Sequence, residues 1–176
     1  MRILIVDDEE VLRDVLDAVL RREGFDVVMA ASGEQALSVL DDDDAIDLVI
    51  LDVMLPGISG IDTLRAIRIA NPQLPVIVIT AFSSIDGAIE AMKHGAFHYI
   101  PKPFKNEEVV LTVNKALEQR RLSRENERLK AELSEKYAYF CDSSALRRSF
   151  SRDRRRCSSA LLTVRTTSSF LNGFGM

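Results

Sequence analysis

Short, mostly apolar runs recur along the first hundred residues of the chain, and polar or turn residues follow each of them. Five such runs, of four to six residues each, are residues 2–6, 25–30, 47–52, 76–80 and 97–100. Runs of this length that are rich in Val and Ile are typical of strands buried on both faces of a sheet. The run at 47–52 stops at Asp52, and the chain then turns through Pro56 and Gly57. We predict five β-strands, with this one at the centre.

Between the strands, apolar residues recur at spacings of three and four, the period of an amphipathic helix. Ser32 followed by Gln35 is a capping-box signature for one helix start. The four acidic residues at 41–44 are expected to form a solvated loop. The predicted helices cover residues 11–20, 32–40 and 58–70, a segment capped by Ser83 or Ser84 that ends at Gly95, and a last helix that starts near Asn106.

Five strands that alternate with five helices predict an α/β fold with a doubly wound, five-stranded parallel sheet. Each connection is long enough to hold a helix, and crossovers between parallel strands are nearly always right-handed. The flavodoxin-like strand order 2-1-3-4-5 fits best, since it sets strands 1 and 3 side by side with a crevice at their carboxyl ends. The last helix is expected to extend beyond the sheet domain.

Acidic side chains stand where strands 1 and 3 end. Asp7 and Asp8 follow the first strand and Asp52 ends the third, while Thr80 and Lys102 stand at the ends of strands 4 and 5. Neighbouring strands lie about 4.8 Å apart, so these groups should converge. Three carboxylates this close must either take up protons or share a cation, and oxygen ligands favour magnesium. Asp52, alone on the most buried strand, is the candidate nucleophile toward a phosphoryl group.

This pattern resembles a response-regulator receiver domain of the CheY and NtrC type over residues 1–120. The resemblance rests on Asp7-Asp8, Asp52, Thr80 and Lys102-Pro103 at family-like spacing. It implies that a sensor histidine kinase phosphorylates Asp52. It further implies that Asp8, Asp52 and the backbone carbonyl of Met54 ligate magnesium and that Asp7 holds the ion mainly through water. The resemblance also implies that Lys102 pairs with the phosphoryl group and that Thr80 donates a hydrogen bond to it.

The same resemblance assigns a switch and a subgroup. Tyr99 matches the aromatic switch position, whose ring moves inward when Thr80 moves toward the phosphoryl group, and the bond between Lys102 and Pro103 is expected to be cis. Residues 95–104, GAFHYIPKPF, are similar to the NtrC-like subgroup, which couples a receiver to a sigma-54-activating ATPase. The chain contains no G-x-x-x-x-G-K-[ST] phosphate loop, so we expect the ATPase and DNA-binding domains to be missing.

Residues 121–138 form a candidate helical linker without Gly or Pro. Leu122, Asn126, Leu129 and Leu133 follow a 4-3-4 spacing, and Asn at one seam position favours a two-stranded parallel coiled coil. We therefore predict a homodimer in which phosphorylation switches an interface that controls transcription. The alternative is a solvated charged helix. A leucine-zipper DNA reader is disfavoured because no basic region precedes the seam.

Residues 139–176 form a tail whose composition departs from the rest of the chain. Within residues 141–176 there are eight Ser and seven Arg, with no Lys or Glu. One hypothesis is that the tail is a truncated or frame-shifted remnant of a longer regulator. The other is a native basic, disordered tail that contacts nucleic acid or an acidic partner. Cys141 and Cys157 match no metal-ligand spacing and are expected to be free thiols.

Charge and hydropathy restrict the function classes. Residues 1–140 carry 25 acidic and 16 basic side chains, which argues against direct contact between the receiver and nucleic acid. No long apolar segment or export signal is recognisable, so we expect a cytoplasmic protein without membrane contact. We expect no independent enzyme activity beyond assistance with phosphotransfer and dephosphorylation at Asp52.

Two other functions remain open at this point. One is a magnesium-dependent phosphohydrolase with an aspartyl nucleophile; those of the haloacid-dehalogenase type carry D-x-D after strand 1, where this chain has Asp7-Asp8. The other is a flavodoxin-like nucleotide binder. That function needs a loop rich in Gly, Ser or Thr after strand 1, whereas VDDEEV repels phosphate unless a metal is bound.

Overall fold

Strands and helices alternate strictly along the chain. The computed structural model describes residues 1–43, 45–81 and 85–142. The elements are β1 (Arg2–Val6), α1 (Glu10–Arg22), β2 (Asp26–Ala30), α2 (Gly33–Asp42), β3 (Ile46–Asp52), α3 (Gly60–Ala70), β4 (Val76–Thr80), α4 (Ile85–Lys93), β5 (His98–Pro101) and α5 (Asn106–Asp142).

The five strands form one parallel sheet in the order β2-β1-β3-β4-β5, which confirms the predicted topology. In the pairing of β1 with β3, Val6 lies opposite Leu51, so Asp7 and Asp52 both follow at the next position. Thr80 lies opposite Pro101 at the same end of the sheet. The register therefore places four residues at one edge of the sheet: Asp7, Asp52, Thr80 and Lys102, which follows Pro101.

Alternation along the strands divides the core into two layers. Helices α1 and α5 cover one face of the sheet, where Leu16, Leu20, Val109 and Val113 pack against Ile5 and its neighbours. Helices α2, α3 and α4 cover the other face, where Ala36, Leu64, Ile67 and Ala91 pack against Leu4, Val49 and Val78. Because both faces are covered, β3 is buried along almost its whole length, which explains its continuous apolar run.

Some predicted boundaries change by two residues. Helix α2 continues to Asp42 instead of ending at Leu40, so the first two residues of the acidic run are helical. Helix α3 begins at Gly60, because the side chain of Ser59 accepts a hydrogen bond from the backbone N–H of Asp62 and caps the helix. Ser32 caps α2 as predicted, with a bond from Gln35 N. The predicted caps Ser83 and Ser84 lie outside the described residues.

Helix α5 runs without interruption from Asn106 to Asp142. The chain divides into two units, Met1–Arg124 and Glu125–Met176, and the helix contributes to both. In the first unit Arg120 is buried and donates a hydrogen bond to the carbonyl oxygen of Ile46, 3.0 Å away. This contact ties α5 to the beginning of β3.

Residues 125–142 of the second unit are helical, and the side chains of residues 125–135 are exposed. Arg128 forms ion pairs with Glu125 at 2.9 Å and Glu132 at 3.6 Å along the helix. Leu129 and Leu133, two of the predicted seam residues, are exposed. The other two, Leu122 and Asn126, are exposed as well. The Ser/Arg-rich tail lies outside the described residues from position 143 onward.

None of the helices in the described ranges combines the length and the hydropathy that a membrane crossing requires.

Candidate functional site

Three carboxylates meet at the carboxyl edge of the sheet. Asp7 and Asp52 are 3% and 4% exposed, and Asp8 beside them is open to solvent. One carboxylate oxygen from each lies within 4.8 Å of the others. The loop after β1 and the end of β3 supply these groups, as their spacing in the sequence predicts. Because Asp8 is the exposed member, solvent reaches the cluster on the side of Asp8.

Lys102 bridges the two buried carboxylates. Its Nζ donates to Asp7 Oδ2 at 2.8 Å and to Asp52 Oδ2 at 2.6 Å. The lysine is held there from its own backbone, because Lys102 N donates to the carbonyl oxygen of Thr80 at 2.8 Å. The peptide bond that follows, between Lys102 and Pro103, is cis.

The charges in this cluster perturb one another. Burial raises the pKa of Asp7 above its ordinary value, and the hydrogen bond from Lys102 opposes that rise. Burial alone would lower the pKa of Lys102, but the hydrogen bonds to Asp52 and Asp7 and their negative charges outweigh it and raise the pKa. The ammonium therefore stays charged. It offsets one of three carboxylate charges, which leaves about two negative charges for a further cation.

The loop between β3 and α3 is fastened to Asp52. Met54 N donates to Asp52 Oδ1 at 3.0 Å, so both oxygens of the Asp52 carboxylate have a donor. At the end of the loop, Gly60 N donates to the carbonyl oxygen of Val53 at 3.0 Å. A Cβ at Gly60 would collide with the carbonyl oxygen of Asp52 and lie 2.6 Å from Cα of Val53. Only glycine permits this approach of α3 to the end of β3.

The loop between β1 and α1 is fastened by two contacts that the sequence analysis missed. Asp7 Oδ1 accepts from Glu9 N at 2.9 Å, and the backbone oxygen of Asp7 accepts from Arg13 Nη1 at 2.6 Å. The first bond is a local turn typical of Asp. The second has no signal in the sequence, because an arginine on a solvated helix face looks the same whether it reaches a main-chain oxygen or water.

Thr80 and Tyr99 stand close to this edge on strands 4 and 5. Thr80 is 1% exposed at the last position of β4. Tyr99 is half-buried, packs against the core layer under α2, α3 and α4, and lies opposite Val78 in the sheet. Burial raises the pKa of the Tyr99 hydroxyl. Thr80 thus lies at the same edge of the sheet as the acidic cluster. Tyr99 lies two residues before Pro101, the residue of β5 that is opposite Thr80.

The donor set fits magnesium. All three side chains are oxygen ligands, with no histidine or cysteine among them, and hard oxygen donors select magnesium or calcium over zinc and copper. A small set of carboxylates open on one side suits magnesium, which keeps waters and phosphate oxygens in its shell. Asp8 and Asp52 could ligate such an ion directly while Lys102 continues to contact Asp7.

Comparisons with known proteins identify the family of the chain. The family described as "Response regulator receiver domain" matches residues 3–114. A response regulator described as NtrX-like from Rickettsia bellii is 40% identical over 136 residues, which cover 76% of this chain and 28% of that protein. The transcriptional regulatory protein CpxR of Escherichia coli (strain K12) is 46% identical over 116 residues, which cover 66% of this chain and 49% of that protein.

A solved structure gives the same result at the level of the fold. The crystal structure of NtrX from Brucella abortus superposes with a TM-score of 0.69 at 37% sequence identity, covering 73% of this chain and 30% of that one. The chain thus spans less than a third of the NtrX-like relatives and about half of CpxR. Family match, parallel sheet and acidic edge together show that the chain belongs to the response regulator receiver domains of two-component systems.

Proposed function

We propose that this chain is a phosphoacceptor switch and that Asp52 is the residue phosphorylated by a sensor histidine kinase. The observation that carries the proposal is the arrangement of Asp52 beside Asp7, Asp8 and Lys102 at the open edge of the sheet. Of the three acids, Asp52 is the one that ends the buried central strand. Its carboxylate also contacts Lys102. A buried carboxylate that stays ionised beside an ammonium is a competent nucleophile.

In the proposed reaction, a carboxylate oxygen of Asp52 forms the new bond to phosphorus. The bond between phosphorus and the kinase histidine breaks, and the histidine nitrogen keeps the electron pair. Lys102, already within 2.6 Å of Asp52, offers its ammonium to the phosphoryl oxygens, and the Thr80 hydroxyl donates a hydrogen bond to one of them.

Asp8, Asp52 and the backbone carbonyl of Met54 would hold magnesium, with Asp7 acting mainly through water. The bound ion neutralises charge on the transferring phosphoryl group. The chain's own contribution is to bring the three carboxylates together before the ion arrives. We assign it no enzymatic role beyond assisting phosphotransfer and dephosphorylation at its own aspartate.

The proposed output is a change at the surface near β5. Thr80 shifts toward the phosphoryl group, and the half-buried Tyr99 ring follows inward. This movement alters the interface of a homodimer formed through a short coiled coil of α5 with Leu122, Asn126, Leu129 and Leu133 as its seam. The three exposed leucines support that seam, since exposed leucines at this spacing gain stability when covered. The proposed consequence of this change is control of transcription, and it is supported by the similarity to CpxR, which is described as a transcriptional regulatory protein.

Phosphorylation of the purified chain tests the assignment of Asp52. Incubation with acetyl phosphate and magnesium should add one phosphoryl group, seen by intact-protein mass spectrometry, that is stable in acid and lost in base. Asp52→Asn should abolish the addition. Asp17→Asn removes a partly exposed carboxylate on α1 that pairs with Arg21 and should leave the addition unchanged. Labelling that persists in Asp52→Asn would assign the phosphoacceptor to another residue.

A further inference from the structure

The beginning of α2 touches the loop that follows β3. Glu34 Oε1 accepts a hydrogen bond from Ile58 N at 2.9 Å, across 24 positions of sequence. Gly57, one residue earlier, has φ +78, and a Cβ there would collide with Oε1 of Glu34 and lie 3.2 Å from its Cδ. The backbone conformation favours glycine here, and a side chain at position 57 would displace the Glu34 carboxylate from its place beside Ile58 N.

This contact restrains the part of the β3–α3 loop that does not pack against the core. Val53 and Leu55 pack against the core layer, whereas Met54 and residues 56–58 are exposed. Near Asp52 the loop is fixed by the bond from Met54 N, and at its far end by Ser59 and Gly60. Between these two points Glu34 supplies the bond that restrains the exposed turn.

We propose that Glu34 is a positioning residue for the phosphorylation site: it holds the β3–α3 loop so that the Met54 carbonyl is in place for magnesium. The inference rests on the proposed function, because it takes Met54 as a ligand. It adds a residue from α2 to a site that is otherwise built from the ends of β1, β3, β4 and β5.

The carboxylate of Glu34 is well suited to this task. Hydrogen bonds from its own backbone N–H and from Ile58 N, followed by the Ser32 hydroxyl, hold the pKa of Glu34 below its ordinary value. The side chain is therefore anionic at neutral pH, and a hydrogen bond to an ionised acceptor is stronger than one between neutral groups. Because Glu34 stands in the first turn of α2, the helix dipole favours its charge as well.

Removal of this bond should loosen the loop more than it destabilises the fold. The contact lies at the surface, and no buried side chain depends on it, so the free energy of global unfolding should change little. The exposed turn, by contrast, loses its restraint and opens more often. Magnesium binding then has to order the Met54 carbonyl, and the apparent affinity falls.

The test compares Glu34→Ala with Glu34→Gln in the full chain. The amide oxygen of Gln can still accept the bond from Ile58 N but carries no charge, so this variant separates the restraint from the long-range attraction of a negative charge for magnesium. Magnesium is titrated into the metal-free protein while the amide resonances of residues 52–58 are followed by NMR. Glu107→Ala, an exposed first-turn glutamate of α5, serves as control.

Glu34→Ala should bind magnesium about tenfold more weakly, the lower end of the loss seen when partners of metal ligands are removed. Glu34→Gln should bind magnesium about threefold more weakly than the wild type, since a neutral acceptor gives a bond about half as strong and so keeps about half of the free energy. In the metal-free protein, hydrogen exchange at the Gly57 and Ile58 amides should be faster in Glu34→Ala than in the other proteins.

The outcomes separate this inference from the proposed function. Unchanged magnesium affinity in Glu34→Ala, with normal phosphorylation of Asp52, overturns the positioning role and leaves the function standing. Equal weakening in Glu34→Ala and Glu34→Gln overturns it too, because the loss then follows the charge. A wild-type chain that takes up neither magnesium nor a phosphoryl group overturns both.

Discussion

Lys102 is the residue on which the electrostatics of the site depend most. The carboxylate oxygens of the cluster lie within 4.8 Å of one another, and two negative charges at about that separation repel each other by about 3.5 kcal/mol at an effective dielectric of about 20. With its side chain only 18% exposed, Lys102 offsets much of this repulsion for Asp7 and Asp52. The lysine also competes with any other cation for the same two oxygens.

This competition predicts opposite effects when Lys102 is replaced by Met. Magnesium should still bind, because its proposed ligands are intact and a competing positive charge is gone. Phosphorylation by acetyl phosphate should slow by about tenfold or more, since the ammonium that contacts the phosphoryl oxygens is lost. Magnesium titration by NMR and the rate of phosphoryl uptake measure the two effects. Lys105→Met, at an exposed position, should change neither, and a Lys102→Met protein phosphorylated at the wild-type rate contradicts this role.

Asp62 predicts a dependence of stability on pH. A hydrogen bond from the Ser59 hydroxyl and the charge of Arg65 hold its pKa below the ordinary value. A carboxylate with a lowered pKa in the folded state stabilises the protein above its unfolded pKa of about 4, and this contribution disappears as pH falls through the folded value. The urea midpoint of Asp62→Asn should therefore lie below that of the wild type at pH 7.

The difference between the two midpoints should shrink as pH falls below about 4. Ser59→Ala removes the same hydrogen bond and also the cap of α3, so its gap to the wild type should narrow below about pH 4 without closing. A gap between wild type and Asp62→Asn that is constant from pH 7 to pH 3 would mean that ionisation of Asp62 contributes nothing.

Helix α5 is the element that joins the sheet domain to the rest of the chain. Its first half is held by apolar contacts of Val109, Val113 and Leu117 with one face of the sheet. Farther along, Arg120 donates from Nη1 to Ile46 O and to Asp47 Oδ1, at 3.0 and 3.1 Å. Polar bonds thus replace apolar packing where the helix reaches the amino-terminal edge of the sheet.

Replacement of Arg120 by Met should destabilise the domain by about 1–3 kcal/mol, because the buried oxygen of Ile46 loses its donor while the aliphatic stem is kept. Arg121 is exposed and pairs with Glu118 on the helix surface. Its replacement by Met should change the free energy of unfolding by less than about 0.5 kcal/mol. Urea unfolding followed by circular dichroism compares the two, and equal midpoints would show that the bond at Ile46 contributes no stability.

At the scale of the whole molecule, strand order and apolar pattern were readable from the sequence because each follows from a strong local signal. A strand that is covered on both faces needs a continuous apolar run, and the parallel order brings the ends of β1 and β3 together. The convergence of Asp7, Asp8 and Asp52 then follows from register alone. These parts of the fold and site required no knowledge of side-chain contacts.

Other contacts left no readable trace in the sequence. In the sequence, Glu34 cannot be distinguished from any other acidic residue in the first turn of a helix. Its bond to Ile58 depends on how α2 and the β3–α3 loop meet in space. Arg120 and Arg121 are adjacent in a charged segment, yet only Arg120 is buried. The compact unit extends to Arg124, which pairs with Asp47 at 3.6 Å.

The proposed dimer is a property of the whole chain and is tested by its size in solution. Sedimentation velocity with and without acetyl phosphate should detect a dimer in at least one of the two states. Leu129→Gln places an amide in the middle of the proposed seam and should shift the population toward monomer by loss of buried apolar area. Lys130→Gln, at the neighbouring exposed position, should not. A wild type that is monomeric in both states rules out the seam.

The close approach at Gly60 has a consequence for genetics. Any side chain there would press on the main chain of Asp52 and Val53, so a mutation would displace the proposed phosphoacceptor although Gly60 has no proposed role in binding phosphate or metal. A random screen for mutants that have lost signalling should therefore recover position 60 beside the true reacting residues. Such a mutant would lose signalling through steric displacement of the site. A lower melting temperature would distinguish it from a mutant in a reacting residue.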